Sequence, residues 1–249
     1  MLHLQPHVEL HPVFETLGYA LGFAEYRRER QRSGDVIEEH QRWSVIAAAA
    51  VGALVGSRVL GVLDQALFTH AAISQMLSLN GGKTIVGGLL GGWFAVELVK
   101  KIEGVRTRTG DLFAIPLCLG IAVGRIGCLL AGLADDTYGN ATALPWGVDF
   151  GDGVSRHPTQ VYEILFLAAL AGVLLPLKTR PHPDGFLFRV FMASYLTWRL
   201  LIDFLKPDPV VAGMNLIQWA CVGGLAVLAA SAARGRCLKP SQIPSAGTK

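Results

Sequence analysis

Apolar residues along the chain fall into blocks separated by polar stretches: residues 12–26, 43–63, 85–99, 112–133, 159–177, 186–205 and 214–233. A helix needs about 20 predominantly apolar residues to cross the hydrocarbon core, where no water satisfies its backbone groups. The pattern therefore predicts an all-α polytopic membrane protein with about seven transmembrane helices. It makes residues 1–249 a single membrane-embedded domain. The first and third blocks are short, and the first contains Glu15 and Glu25, so a tilted, re-entrant or partly interfacial helix stays open for either.

The polar stretches alternate in character. Arg27, Arg28, Arg30, Arg32 and Arg42 precede the second block, and Lys100, Lys101, Arg106 and Arg108 follow the third. Lys178, Arg180 and Arg189 flank the fifth and sixth, and Arg234, Arg236, Lys239 and Lys249 lie in the tail at 234–249. The opposite loops hold Lys83, Arg156 and Lys206. Basic loops face the cytoplasm, so the amino terminus is expected outside and the carboxyl terminus in the cytoplasm. Residues 1–11 lack Lys and Arg and do not form the positive n-region of a cleavable signal peptide, so the first span should be retained. The outer loop at 134–158, rich in Asp, Gly and Thr, is placed to cap a membrane-embedded site.

Composition narrows the picture. Hydrophobic residues make up 51% of the chain and charged ones 16%, a balance that excludes an ordinary soluble domain. The formal net charge of +3 is explained by loops beside apolar spans, so no nucleic-acid partner is indicated. Cys118, Cys128 and Cys221 lie within apolar blocks and Cys237 in the basic tail, without a CxxC pair or metal-ligand spacing; neither a disulfide nor a metal site is read.

Candidate chemistry lies in charges inside the apolar blocks. Arg58, Arg125 and Arg199 sit where an unpaired charge costs roughly 2.5–3.5 kcal/mol on insertion scales. Each could snorkel or neutralise an acid; together they favour a cavity for a lipid phosphate, which guanidinium binds bidentately. Tyr195, Arg199 and Asp203 are spaced four apart and share one helical face. That spacing is compatible with self-neutralisation or with Arg199 gripping a phosphate while Asp203 orients it or takes a proton. Gly124-Arg125-Ile126-Gly127 would let a ligand approach the backbone. The run Gly81, Gly82, Gly87, Gly88, Gly91 and Gly92 allows close helix packing or a ligand-hugging backbone. Residues 156–163, with His157, Tyr162 and Glu163, gather hydrogen-bonding groups where the chain re-enters the membrane, as interface anchors or acid/base equipment.

These residues resemble the bacterial prolipoprotein diacylglyceryl transferases over nearly the whole chain. Gly124-Arg125-Ile126-Gly127 is similar to the opening of that family's signature, and residues 144–148 followed by 156–163 to its outer-loop block. Gly87 to Gly92 resembles its glycine-rich helix start, residues 195–208 its late span, and Arg58 falls where the family has an arginine. The resemblance implies seven spans in the bacterial cytoplasmic (inner) membrane and transfer of a diacylglyceryl group from phosphatidylglycerol to the lipobox cysteine of a lipoprotein precursor. Glycerol phosphate would leave, and no cofactor would be required. It implies Arg125 and Arg199 as catalytic residues, to which proximity in the pattern adds His157 and Asp203, and Arg58, Gly87, Gly88, Gly124, Gly127, Tyr162, Glu163 and Tyr195 as lipid-binding ones. Three positions depart from the family: Val86 replaces a histidine, Cys128 an asparagine and Leu133 a glutamate. Asp135 or Asp136 would then supply the missing acid, and His157 or Asp203 the missing base. A lipid-handling transferase with another acceptor, or a lipid-binding protein without turnover, are the competing readings.

Overall fold

The computed structural model describes residues 2–3, 10–34, 37–69, 82–105, 107–207 and 212–237. Gly81, Arg106, Asp208, Lys239 and Lys249, which entered the reading above, lie outside the described residues. The described α-helices are α1 (His11–Ser33), α2 (Glu39–Thr69), α3 (Ile85–Ile102), α4 (Asp111–Ala131), α5 (Thr159–Lys178), α6 (Phe186–Ile202) and α7 (Leu216–Cys237). Each coincides with one of the apolar blocks. By length and apolar character, the segments Glu39–Asp64, Asp111–Asp135, Thr159–Lys178 and Leu216–Ala233 are able to cross a membrane. α1 and α2 outrun their apolar blocks: the arginine-rich segment after Tyr26 stays helical until Gly34, whose positive φ of 79° ends it. No breaker precedes that glycine, so charge alone does not stop the helix.

Local chemistry fixes several helix ends. Thr84 caps α3 by accepting from the Gly87 N–H at 3.2 Å. Asp111, at the start of α4, accepts from the N–H groups of Gly185 (2.7 Å) and Phe188 (3.0 Å), and so caps α6 from across the bundle. Asn215 and Gln218 form a reciprocal capping box at the start of α7, and the Gln218 amide also donates to the Leu200 carbonyl of α6 at 2.9 Å.

Packing pairs α2 with α3 and α1 with α4 most extensively. The α2–α3 seam is made by small residues: a Cβ on Gly56 would stand 2.3 Å from the Gly87 carbonyl oxygen, closer than real side chains approach. α5 and α6 complete the core through single stripes. On α6 the buried positions are Leu187, Phe191, Met192, Tyr195, Leu196, Arg199 and Ile202, and on α5 they are Thr159, Gln160, Glu163, Leu167, Leu170 and Leu174. Each stripe begins or ends in polar groups, so the helical period that builds the apolar core also carries charge into one end of it. Phe94, Val59, Leu165 and Leu201 point outward and are exposed, as lipid-facing residues would be.

Beyond α4 a 3₁₀ turn at Gly132–Asp135 leads into the cap. There β2 (Val148–Asp149) pairs antiparallel with β3 (Ser155–Arg156) and parallel with β1 (Leu2–His3), which joins the beginning of the chain to the cap loop.

Candidate active site

Glu163, one turn into α5, is the centre of a buried ionic cluster. Its Oε2 lies 2.9 Å from Arg125 Nε of α4 and 3.3 Å from Arg199 Nη1 of α6, while Tyr195 donates its hydroxyl to Oε1 at 2.6 Å. Arg199 Nη2 reaches Asp203 at 3.0 Å, and Lys206 Nζ lies 3.3 Å from the same carboxylate. Glu163 is 2% exposed and Arg125 and Arg199 5% each, so these charges are removed from water together. In such surroundings a lone charge would cost several kcal/mol, and mutual pairing with hydrogen bonds is what makes the arrangement tolerable. Three helices thus contribute to a fixed geometry, α4 with Arg125, α5 with Glu163 and α6 with Tyr195 and Arg199. Each guanidinium has five N–H donors in a rigid plane, more than these contacts use.

A second feature is a cavity of about 920 Å³ between α1, α2, α3 and α4. It runs from Glu15 and Lys83 at one end to Lys100, Arg108 and Arg189 at the other, walled between by Leu54, Leu89, Trp93, Leu117 and Ile121. Arg58 and Ser57 line it, as does Gly88. Glu15 accepts from Lys83 at 3.1 Å, which answers how α1 carries that acid in an apolar block. The cavity does not itself include the ionic cluster; Arg125 follows Ile121, a wall residue, by one turn of α4.

The sequence-predicted residues therefore separate into groups. Arg125, Glu163, Tyr195, Arg199 and Asp203 come together. Arg58 belongs to the cavity instead of joining the other two intramembrane arginines. His157 lies in the cap and Tyr162 in the first turn of α5, with His157 Nδ1 3.2 Å from the Tyr162 hydroxyl, which accepts from Trp146 Nε1 at 2.8 Å. Of the glycines, Gly87 packs against α2 and Gly127 against α1, where a Cβ would stand 2.8 Å from that of Phe14, whereas Gly124 faces open space. The cap also contains Asp152, whose carboxyl is held below the usual carboxylate range by the Arg156 guanidinium hydrogen-bonded to it. Burial and the Asp136 charge push the Tyr138 phenol upward.

Three further groups converge beside Arg125. His11 of α1, Cys128 of α4 and Asp135 of the 3₁₀ turn bring one ligand-type atom each to within 4.8 Å of one another. Arg125 Nη1 donates to Cys128 Sγ at 3.6 Å. Spacing along the chain gave no sign of this group, because its members come from two helices and a turn distant in sequence. Gln160, one of the hydrogen-bonding groups of 156–163, is buried and donates to Thr137 Oγ1 at 3.1 Å, which ties it to the turn that carries Asp135.

Comparison with known proteins bears on this arrangement. The chain is 33% identical over 226 residues to a phosphatidylglycerol–prolipoprotein diacylglyceryl transferase of Geobacter sulfurreducens, covering 82% of this chain and 84% of that one. It is 30% identical over 201 residues to the same-named protein of Nitratidesulfovibrio vulgaris, covering 77% and 72%. With that of Vibrio vulnificus it shares 29% over 269 residues, covering 92% and 94%. The family described as prolipoprotein diacylglyceryl transferase matches residues 1–233, a stretch that contains both the ionic cluster and the cavity, and the chain belongs to that family.

Proposed function

We propose that this protein transfers the diacylglyceryl group of phosphatidylglycerol to the lipobox cysteine thiol of lipoprotein precursors, releasing glycerol phosphate. The observation that carries the reading is Glu163 holding Arg125 and Arg199 in one buried constellation. Family membership and the names of the relatives support it. In this reading seven helices span the bacterial inner membrane, with the cap on the outer side and the arginine-rich end of α1 on the inner side.

The lipid's acyl chains occupy the apolar cavity, with Arg58 and Gly88 beside them, and its phosphate reaches the donors that Arg125 and Arg199 have left over. Gly124, which faces open space, lets the headgroup lie close to α4, whereas Gly127 serves the packing of α1 on α4. Fixed donors in a site with little water favour charge that develops during reaction more than charge already present. The thiol sulfur attacks the glyceryl carbon bonded to the phosphate oxygen. A C–S bond forms and the C–O bond breaks, and its electron pair leaves with the glycerol phosphate. Glu163 and Tyr195 keep the two guanidinium planes in position, and Asp203 orients Arg199. With Asp203 tied to Arg199 and Lys206, His157 beside Tyr162 is the better placed of the two sequence-derived bases to take the thiol proton near the cap.

Incubation of the purified chain with phosphatidylglycerol and a lipobox peptide tests the reading. A diacylglyceryl mass gain on the peptide cysteine, lost in Arg125→Ala and Arg199→Ala chains that remain folded, is the expected result. Lipid binding without any gain, beside an active relative under the same conditions, would sink it and favour a binding protein on this fold.

A further inference from the structure

Position 128 of α4 holds a cysteine, and it is not isolated. The Cys128 thiol, the His11 imidazole and the Asp135 carboxylate place donor atoms within 4.8 Å of one another. His11 Nδ1 lies 3.3 Å from Asp135 Oδ1 yet makes no hydrogen bond there. The other Asp135 oxygen accepts from Thr137 Oγ1 at 2.5 Å, and Gln160 in turn donates to Thr137. One carboxylate oxygen is thus fixed from behind while the other is turned towards the imidazole and the thiol, which is how outer contacts orient a metal-binding carboxylate.

The chemistry of the three donors is consistent with one class of ion. Thiolate, imidazole and carboxylate together suit zinc, and three protein ligands leave a fourth tetrahedral position for a substrate atom. With Cys128 as thiolate, Asp135 ionised and His11 neutral, the ligands carry two negative charges and balance a divalent cation. The Arg125 N–H that points at Cys128 Sγ is compatible with this, because it donates to a sulfur that would carry negative charge. Cys128 is buried, but the side chains of His11 and Asp135 remain 29% and 13% exposed, so the cluster is open on one side.

We propose that His11, Cys128 and Asp135 form a zinc site whose open position receives the incoming lipoprotein thiol. This rests on the transferase reading for its thiol and deepens it by supplying a means of ionising that thiol beside Arg125. Coordination releases the S–H proton, which His157 takes near the cap, since a metal-bound thiol is deprotonated. The bound sulfur then attacks the glyceryl carbon, the C–O bond breaks, and the leaving phosphate takes the electron pair. The thioether produced is a weaker ligand than the thiolate and departs. Val86, where the resemblance leads one to expect a histidine, is then no obstacle to thiol ionisation.

The experiment is metal titration of the purified full chain in detergent after removal of metal by a chelator, using zinc and then cobalt as a spectroscopic probe. One zinc per chain is expected, with sulfur-to-metal charge-transfer absorption in the cobalt form. Cys128→Ser should abolish that absorption and Cys221→Ser should retain it. His11→Gln should weaken zinc binding at least as much as Thr137→Val, for which a loss of about 10- to 100-fold is expected. No zinc uptake, or equal affinity in wild type, Cys128→Ser and His11→Gln, would overturn the site. The same preparations are assayed for transfer to a lipobox peptide. Transfer undiminished in metal-free protein overturns the thiol role alone, whereas zinc held by these residues without transfer overturns the transferase reading and leaves the metal site standing.

Discussion

The ionic cluster and the apolar cavity are neighbours along α4, yet they solve opposite problems. Around Glu163 every charge has an opposite charge from another helix or from the next turn, and the geometry is set by a few short polar contacts. Around the cavity the walls are Leu, Ile and Trp side chains between the closely packed α2–α3 pair and the closely packed α1–α4 pair, with charged residues at the two ends. A site that must discriminate a developing charge needs fixed dipoles; a site that must hold variable acyl chains needs volume and few directional contacts. The difference teaches that, in the proposed function, recognition of the lipid and reaction upon it are assigned to separate parts of the bundle.

That separation can be broken first at Glu163. Glu163→Ala leaves Arg125 and Arg199 buried with their shared partner gone, so a loss of about 3–5 kcal/mol is expected, with transfer abolished. Thermal unfolding in detergent and the peptide assay read the two effects. Next comes Gly56→Val, which drives a side chain into the Gly87 carbonyl on α3 and should cost about 1–3 kcal/mol while reshaping the cavity. Here unfolding temperature and lipid binding should fall, whereas the ionic cluster keeps its contacts. Tyr195→Phe leaves one Glu163 oxygen without its hydrogen bond, and about 1.5–3 kcal/mol is the expected loss. If Tyr195→Phe proves neutral, the cluster is less rigid than these distances indicate.

Two smaller effects sharpen the comparison. Arg58→Gln, in the cavity wall, should raise KM for phosphatidylglycerol with kcat kept, and change stability by about 0.5 kcal/mol or less. Equal losses in kcat from Arg58→Gln and Arg199→Gln would erase the distinction between the two regions. In the cap, Arg156 lowers the Asp152 carboxyl below its ordinary value, so that pair contributes at neutral pH and above the unfolded value of about 3.9. The contribution is lost as pH falls through the folded value. Protease sensitivity of the cap should therefore rise only in acid, and Asp152→Asn should remove that dependence.

The helices were legible because apolar blocks alternate with charged stretches, and the stripe Tyr195, Arg199, Asp203 was legible because it repeats at the helical period. That Glu163 would be shared by Arg125 and Arg199 was not, since three different helices supply the partners and no spacing in the chain encodes how those helices cross. The extension of α1 to Ser33 was missed for the reverse reason: hydropathy ended at Tyr26, while helix propensity carried on through the arginines to Gly34. His11 escaped notice because a lone histidine before an apolar block has no periodic neighbour. Only the packing of α1 on α4 gives it company.

The small sheet of the cap has a kinetic meaning. β1 at Leu2–His3 pairs with β2 at Val148–Asp149, so its edge cannot close until α1 to α4 are in place and the cap loop has followed them. Contacts this distant in sequence pay their loop-closure entropy before they are rewarded, and here the reward is a strand of two residues. Such a strand forms late in assembly and is among the first to fray. The cap thereby has a seam that opens at low cost, and in the proposed function such a seam is a point of entry for a flexible peptide.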